Sequence, residues 1–438
     1  MLKDPNPCRV IGVLDDGVAS LSPAALAYIR NADIVIGGAR TLALFEREFK
    51  AGAVRHDLSK RLKDVPEWVR AARVDHLACV VLATGDPLCH GIAPYLALHL
   101  CVDALDILPN LSTLQLACAR VGLAWQDARI VSVHARDAGE WTRGSAPNHG
   151  LYGLAQALRR ESRLLVLTSP DNSPDRIARL LLAEGLAGDF HMAVAEHLLQ
   201  PQERVLADLN PADAAGMTFA ELNVVLLWRV TAPAKPVRFG LMDSEFVQRQ
   251  PEKGLITKQE VRAVSLARLQ LRQDSTVWDI GAGSGSVGLE AARLCPDGHV
   301  WAIEKNEADH AIAGQNHAAF GISNYSLAHG KAPEGLDAWP DPDAVFIGGS
   351  GGELAGLIAM ILGRLRPNGT LVMNFVTLEN LATATATLQS MQEQQGDQLS
   401  WDVLQLQAAR SKPILHMHRM AAENPVWIVC ARRARGAQ

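Results

Sequence analysis

The sequence contains no cysteine pair spaced C-x-x-C, and its seven cysteines (Cys8, Cys79, Cys89, Cys101, Cys118, Cys295, Cys430) are scattered and odd in number. That argues against a zinc ribbon or a disulfide frame and predicts reduced, mostly buried thiols with no metal site. Long apolar runs are also missing, because charged residues interrupt every hydrophobic stretch before it reaches the length of a membrane span. The opening "MLKDPNPCRVIGVLDDG" has no basic region followed by an apolar core and a cleavage site. A cytoplasmic protein with no membrane partner is therefore expected. An excess of positive charge is absent too: the formal net charge is -5, which excludes bulk attraction to nucleic acid. Any acidic ligand must be held by a few placed cations.

What is present is a chain of 438 residues, 48% hydrophobic and 20% charged. That suits two or three globular domains with sizeable cores. Short Val/Ile/Leu runs alternate with helical patterns, which predicts α/β architecture with parallel sheets covered by helices. The pattern gives two lobes, at about 1–109 and 110–232, forming one N-terminal domain. It lapses through the proline- and glycine-punctuated stretch 233–253, which is expected to be a linker. A third alternation fills 254–438, ending in two strands read as an antiparallel hairpin.

The chemistry is concentrated at "VWDIGAGSGSVGLEAARL", Val277 to Leu294. Gly281, Gly283 and Gly285 follow a buried strand and precede a helix at Ser286, an arrangement that lets backbone amides approach a ligand. Gly283, Gly285 and Gly288 also fit the dinucleotide pattern G-x-G-x-x-G. Glu304, at the next strand end, is placed to accept hydrogen bonds from a ribose diol, as in nicotinamide and S-adenosylmethionine (SAM) enzymes alike. Two features favour SAM. Asp279 precedes the turn, where it would tolerate a sulfonium but gains nothing beside a pyrophosphate, and the chain closes in a hairpin rather than a second mononucleotide unit. "GGSGG" (Gly348, Gly349, Ser350, Gly351, Gly352) leaves a gap near the Glu304 strand end and is expected to line a ligand.

"KGLITKQEVRA", "VWAIEKN", "GKAPEGL", "DPDAVFIGGSGGEL", "LRPNGTLV" and "NPVWIV" resemble the C-terminal class I methyltransferase domain of the precorrin-6Y C5,15-methyltransferase (decarboxylating) family of cobalamin biosynthesis. The likeness spans nearly all of Gly254 to Cys430. It implies SAM contacts at Thr257, Gly281, Ala282, Gly283, Ser284, Gly285, Glu304 and Ala332, and a homo-oligomer, a tetramer in the family. "LATGDPLCHGIAPYLA", "LPNLSTLQLACARVGLAWQDARIVSVHAR", "VLTSPDNSPDRIARLLL" and "FAELNVVLL" resemble the tetrapyrrole methylase family, in the branch fused to such a domain. That likeness implies a two-lobed fold with a second SAM site at Gly12, Gly17, Thr84, Gly85, Asp86, Ser112 and Thr113. Leu14 and Asp16 stand where many relatives carry glycine. On pattern alone, Asp86 is a capped turn near a helix start.

The resemblance implies a bifunctional enzyme that methylates carbons 5 and 15 of a precorrin-6 intermediate and decarboxylates the ring C acetate. A reduced tetrapyrrole supplies its own nucleophilic carbon, so no protein nucleophile is required. His134, His329, His416 and His418 are available as bases, and none is singled out as catalytic. Arg136, Arg143, Lys258, Arg262, Arg410 and Lys412 are the cations near predicted loops and strand ends, with Arg136 and Lys258 the substrate candidates. Two alternatives differ in class: a single-site methyltransferase acting on RNA or another small molecule, and an N-terminal half that is a non-catalytic scaffold. The lack of an Asn-Pro-Pro-Tyr motif after the fourth strand, where "FIGGSGG" stands, argues against the nucleic-acid substrate.

Overall fold

The computed structural model describes residues 6–100, 102–134, 137–231, 237, 239–249, 256–349 and 352–434. Two units emerge: Met1–Glu140 with Gly153–Pro233, and Trp141–Tyr152 with Ala234–Gln438.

The first unit contains two sheets. β1 (Cys8–Val13), β2 (Ile34–Gly37), β3 (Val54–Asp57), β4 (Cys79–Thr84) and β5 (Leu105–Leu108) form a parallel sheet ordered β3-β2-β4-β1-β5. Successive residues of its central strands face opposite layers. Val10, Ile36 and Val81 pack in one core, while Ile11, Val35 and Leu82 pack in the other. This two-sided burial is why these strands read as unbroken apolar runs. Because β1 lies between β4 and β5, the turns that follow these three strands converge.

β6 (Arg129–Ser132), β7 (Arg163–Leu167), β8 (Phe190–Glu196), β9 (Arg204–Leu209) and β10 (Asn223–Arg229) form the second sheet, ordered β6-β7-β10-β8-β9. Here the parallel expectation is corrected. Only β6 and β7 are parallel, and the other three pairings are antiparallel. The connection 197–203 between β8 and β9 is a turn with no crossover helix, and a parallel pair would need one. The helix Thr113–Val121 enters this lobe through a capping box, in which the Gln115 amide donates to Ser112 Oγ and the Ser112 amide to Gln115 Oε1.

The second unit carries β11 (Thr276–Ile280), β12 (His299–Glu304), β13 (Tyr325–His329), β14 (Ala344–Ile347), β15 (Thr370–Phe375), β16 (Leu399–Leu406), β17 (Ala409–Ile414), β18 (Met417–Ala422) and β19 (Val426–Arg433). Seven of them form one sheet, β13-β12-β11-β14-β15-β19-β16, with β19 antiparallel to both neighbours. The expected closing hairpin is interrupted by a second one, β17 and β18, paired only with each other. Its residues are almost all exposed, so no buried face marked it in the sequence.

Two stretches depart from the expected boundaries. Within the presumed linker, Leu241 and Phe246 are buried in the same core as Leu266, Leu289 and Phe346. Residues 141–152 group with the second unit, where the Tyr152 hydroxyl meets His299 Nδ1 at 2.8 Å and Ser326 Oγ donates to the Gly144 carbonyl at 2.6 Å. Among the described residues, no helix is long and apolar enough to cross a membrane, and no cluster of His, Cys, Asp and Glu could hold a metal.

Candidate functional sites

The second unit places its glycine turn between β11 and the helix Ser286–Leu294. Gly281, Gly283 and Gly285 all take positive φ, at +71°, +55° and +76°, which a side chain would strain. A Cβ on Gly281 would lie 2.6 Å from the Gly349 carbonyl oxygen, so this glycine also lets the turns after β11 and β14 approach. Glu304 Oε2 accepts from the Gly283 amide at 2.8 Å and Oε1 from the Asn306 amide at 2.8 Å. Those two bonds fix its carboxylate on the wall of a cleft of about 270 Å³. Gly281, Gly283, Glu304, Ala332, Gly348 and Gly349 line this cleft, together with Arg249, Lys305, Asn306, Asp309 and Lys331.

Asp279 plays a different part from the one its position suggested. It is 1% exposed, and its Oδ2 accepts from the Gly288 amide at 3.0 Å. The side chain therefore holds the first turn of the helix from beneath and does not line the cleft. Burial pushes its carboxyl up to about 7, with the Glu304 charge adding to the shift and the Gly288 hydrogen bond opposing it. The contacts of the remaining residues carried over from the resemblance run through the backbone. The Ala282 amide donates to Ile303, Ser284 offers its carbonyl to Asn316, Gly285 is the N-cap of the helix, and the Thr257 carbonyl accepts from Arg262. Lys258 sits at the N-cap of the helix Gln259–Leu269. Ser350, Gly351 and Arg136 lie outside the described residues.

The first unit holds a cavity of about 380 Å³, within the order of 300–1,000 Å³ usual for small-molecule sites. Thr84 and Thr113 line it, joined by Asp15, Arg40, His134, Thr168, His197 and Asn223. Asp15 pairs with Arg40 through Oδ1 and accepts from Gln200 at 2.5 Å through Oδ2. Gly12 and Gly85 do not line the cavity but pack on each other: a Cβ on Gly12 would come 2.2 Å from the Gly85 carbonyl oxygen, and the Gly85 amide donates to Val13. Gly17, at φ +67°, turns the chain after β1, and Ser112 is spent on its capping box. Asp86 Oδ1 accepts from the Leu88 amide at 2.8 Å within its own turn and does not line the cavity. Leu14 is buried in the same core as Leu114, Leu165 and Leu226.

The proposed cations and bases separate in the same way. Arg262 is fully buried, bonded to Glu290 at 2.6 Å and Asp243 at 3.1 Å, so it is removed from any substrate role. Arg410 pairs with Asp243 and Glu260, and Arg143 donates to the Ala318 carbonyl. Lys412, His416 and His418 lie on the exposed β17–β18 hairpin, and His329 Nε2 meets the Lys305 carbonyl at 3.2 Å. Sequence reasoning missed Asp15, Arg40, His197, Arg249 and Asp309. Asp15 lies in the loop between Gly12 and Gly17, where only the glycines are singled out, and the other four lie in no recognisable motif.

The chain thus has two α/β units, each with a glycine turn at the ends of parallel strands and a cavity of its own. Residues 8–210 match the family of tetrapyrrole (corrin/porphyrin) methylases, and residues 250–432 match the precorrin methyltransferase domain. The precorrin-6Y C(5,15)-methyltransferase (decarboxylating) of a Sinorhizobium species is 35% identical over 84% of this chain and 84% of its own. The cobalt-precorrin-6B C(15)-methyltransferase (decarboxylating) of Salmonella typhimurium is 38% identical over 41% of this chain and 89% of its own. A crystal structure of the precorrin-6Y C5,15-methyltransferase of Geobacter metallireducens is 40% identical, with a TM-score of 0.42, and covers 46% of this chain and 100% of that one. The chain belongs to the family of decarboxylating precorrin-6Y C5,15-methyltransferases.

Proposed function

We propose that this chain methylates carbons 5 and 15 of a precorrin-6 intermediate and decarboxylates its ring C acetate, using one SAM site in each unit. The first unit serves carbon 5, and the second serves carbon 15 and the acetate. The observation that carries the second site is the cradle made by Gly281, Gly283 and the fixed Glu304 carboxylate. Residues 1–232 and 254–438 act as the two catalytic domains, with 141–152 and 239–249 belonging structurally to the second.

Bound SAM supplies an electrophilic methyl group with its leaving group attached. The protein's work is to align the substrate carbon behind that methyl and exclude water. In the second unit, Glu304 receives the ribose hydroxyls, while Gly348, Gly349 and Ala332 leave room for the cofactor body. In the first unit, Thr84 and Thr113 offer hydroxyls to the cofactor, and Arg40 offers a cation to a substrate carboxylate. Among the described residues His134 and His197 are the imidazoles on that wall, and one of them takes the single proton lost when a methine carbon is methylated. Gly12, Gly17, Gly85, Asp86 and Ser112 shape the turns in the first unit. Ala282, Ser284, Gly285, Thr257 and Lys258 do so in the second.

Equilibrium dialysis of the full chain with labelled SAM tests the two-site reading. Two equivalents bound per chain are expected, and saturation at one contradicts it. Self-association belongs to the same proposal: the hairpin exposes Leu415, Met417 and Met420, which suit contact with a second copy in a tetramer. Sedimentation of Leu415→Asp should show smaller species than wild type; an unchanged distribution removes the hairpin from the interface.

A further inference from the structure

The cleft of the second unit is walled on one side by a residue from the stretch that reads as a linker. Glu290 accepts from the Gly240 amide at 2.7 Å and the Leu241 amide at 3.2 Å, and Arg262 bridges Glu290 to Asp243. Phe246 then packs edge-on against Phe320 with ring centroids 5.0 Å apart. One buried amide completes the attachment. Asn316 accepts from the Val247 amide at 2.8 Å and donates to the Val247 carbonyl at 2.9 Å and the Ser284 carbonyl at 2.8 Å. The strap is thus registered to the glycine turn itself.

Two residues further on, Arg249 reaches the cleft. Its Nε lies 2.7 Å from Asp309 Oδ1, and its guanidinium also bonds the Asn306 side chain. Asn306 in turn donates its backbone amide to Glu304, so the guanidinium stands one residue from the carboxylate proposed to hold the ribose. Burial raises the pKa of Asp309, and the Arg249 charge opposes that rise. A guanidinium paired through its edge keeps its flat face for stacking on an aromatic ring.

We propose that Arg249 is a cofactor-binding residue of the second unit, its guanidinium plane walling the adenosine half of the site beside Glu304. This rests on the methyltransferase reading above and adds a contact that neither the glycine turn nor Glu304 provides. Adenine is the aromatic group within reach of a plane adjoining the ribose. A lysine would keep the charge beside Asp309 but not the plane.

The test uses the full chain and reads inhibition of CO2 release by S-adenosylhomocysteine and by 5′-methylthioadenosine, which lacks the amino-acid half. R249A should weaken both inhibitors by about tenfold, the order expected for loss of a stacked cation. R249K, which preserves the charge on Asp309, should weaken both nearly as much. The proposal is overturned if both variants stay within twofold of wild type, or if R249K restores wild-type inhibition. It is also overturned if R249A weakens S-adenosylhomocysteine alone, which would assign the residue to the amino-acid half. A wild-type chain that releases no CO2 contradicts the functional reading instead, and direct titration of both variants with S-adenosylhomocysteine then decides the role of Arg249.

Discussion

The two cavities stand for two ways of building a site at the ends of parallel strands. In the second unit the glycine turns themselves line the cleft, beside a carboxylate fixed by the amide of the turn it faces and the side chains of Arg249, Lys305, Asp309 and Lys331. In the first unit the glycines pack turn against turn and do not line the cavity, and side chains form the wall, including an Asp15–Arg40 pair. The difference teaches that a glycine motif marks a ligand site only where its backbone is left uncovered. Where the same residues serve close packing of turns, the ligand-facing groups come from elsewhere in the chain.

The largest effects come from adding a methyl group to each glycine set. Gly281→Ala combines a positive φ with overlap on the Gly349 backbone, roughly 2–6 kcal/mol together. Carbon 15 methylation and CO2 release should fall at least thirtyfold while carbon 5 methylation persists. Gly12→Ala should do the reverse, with overlap on Gly85 costing about 1–3 kcal/mol; product analysis by mass spectrometry reads both. Next, Glu304→Gln removes a charged acceptor worth about 1.5–3 kcal/mol. It should raise the KM for SAM in CO2 release by ten- to a hundredfold, with kcat changing less; an unchanged KM would remove the ribose role.

Two buried groups of the second unit sharpen the comparison through pH. Asp279 has its carboxyl raised to about 7 by burial, so its contribution to stability is full below the unfolded carboxylate range and is lost as pH rises through 7. Asp279→Asn keeps an acceptor for Gly288 and should stabilise the unit more at pH 8 than at pH 5, by thermal melts. His299 is pushed down to about 3 by burial. Its contribution is present above the unfolded histidine value of about 6.5 and is lost as pH falls toward 3; His299→Gln should flatten that acid limb. The smallest effect is expected at Asp86, whose carboxylate serves its own turn. Asp86→Ala should cost about 0.5–2 kcal/mol in stability and change carbon 5 methylation less than threefold.

Central strands were legible because they are buried on both faces. β11 and β12, inside the seven-stranded sheet and buried along nearly their whole length, carry the apolar runs that mark them. β3, β9, β17 and β18 were not, because they are edge or solvent-facing strands with little hydrophobic pattern. The glycine turn and Glu304 could be read locally, since motif and ligand wall coincide. Arg249 could not, because its place depends on Asn316, far away in the chain, and on a buried Arg262–Glu290 pair that no local pattern marks. Asp279 misled for a related reason: the sequence places it at the turn but does not say on which side.

The central claim is one cofactor site and one set of reactions per unit. Mass analysis of the tetrapyrrole product made by the Gly281→Ala chain with labelled SAM tests it most directly. The expected product carries one new methyl group, at carbon 5, with the ring C acetate intact. A product carrying both methyl groups and lacking the acetate carboxyl, or a substrate returned with neither methyl group by a folded chain, would contradict it.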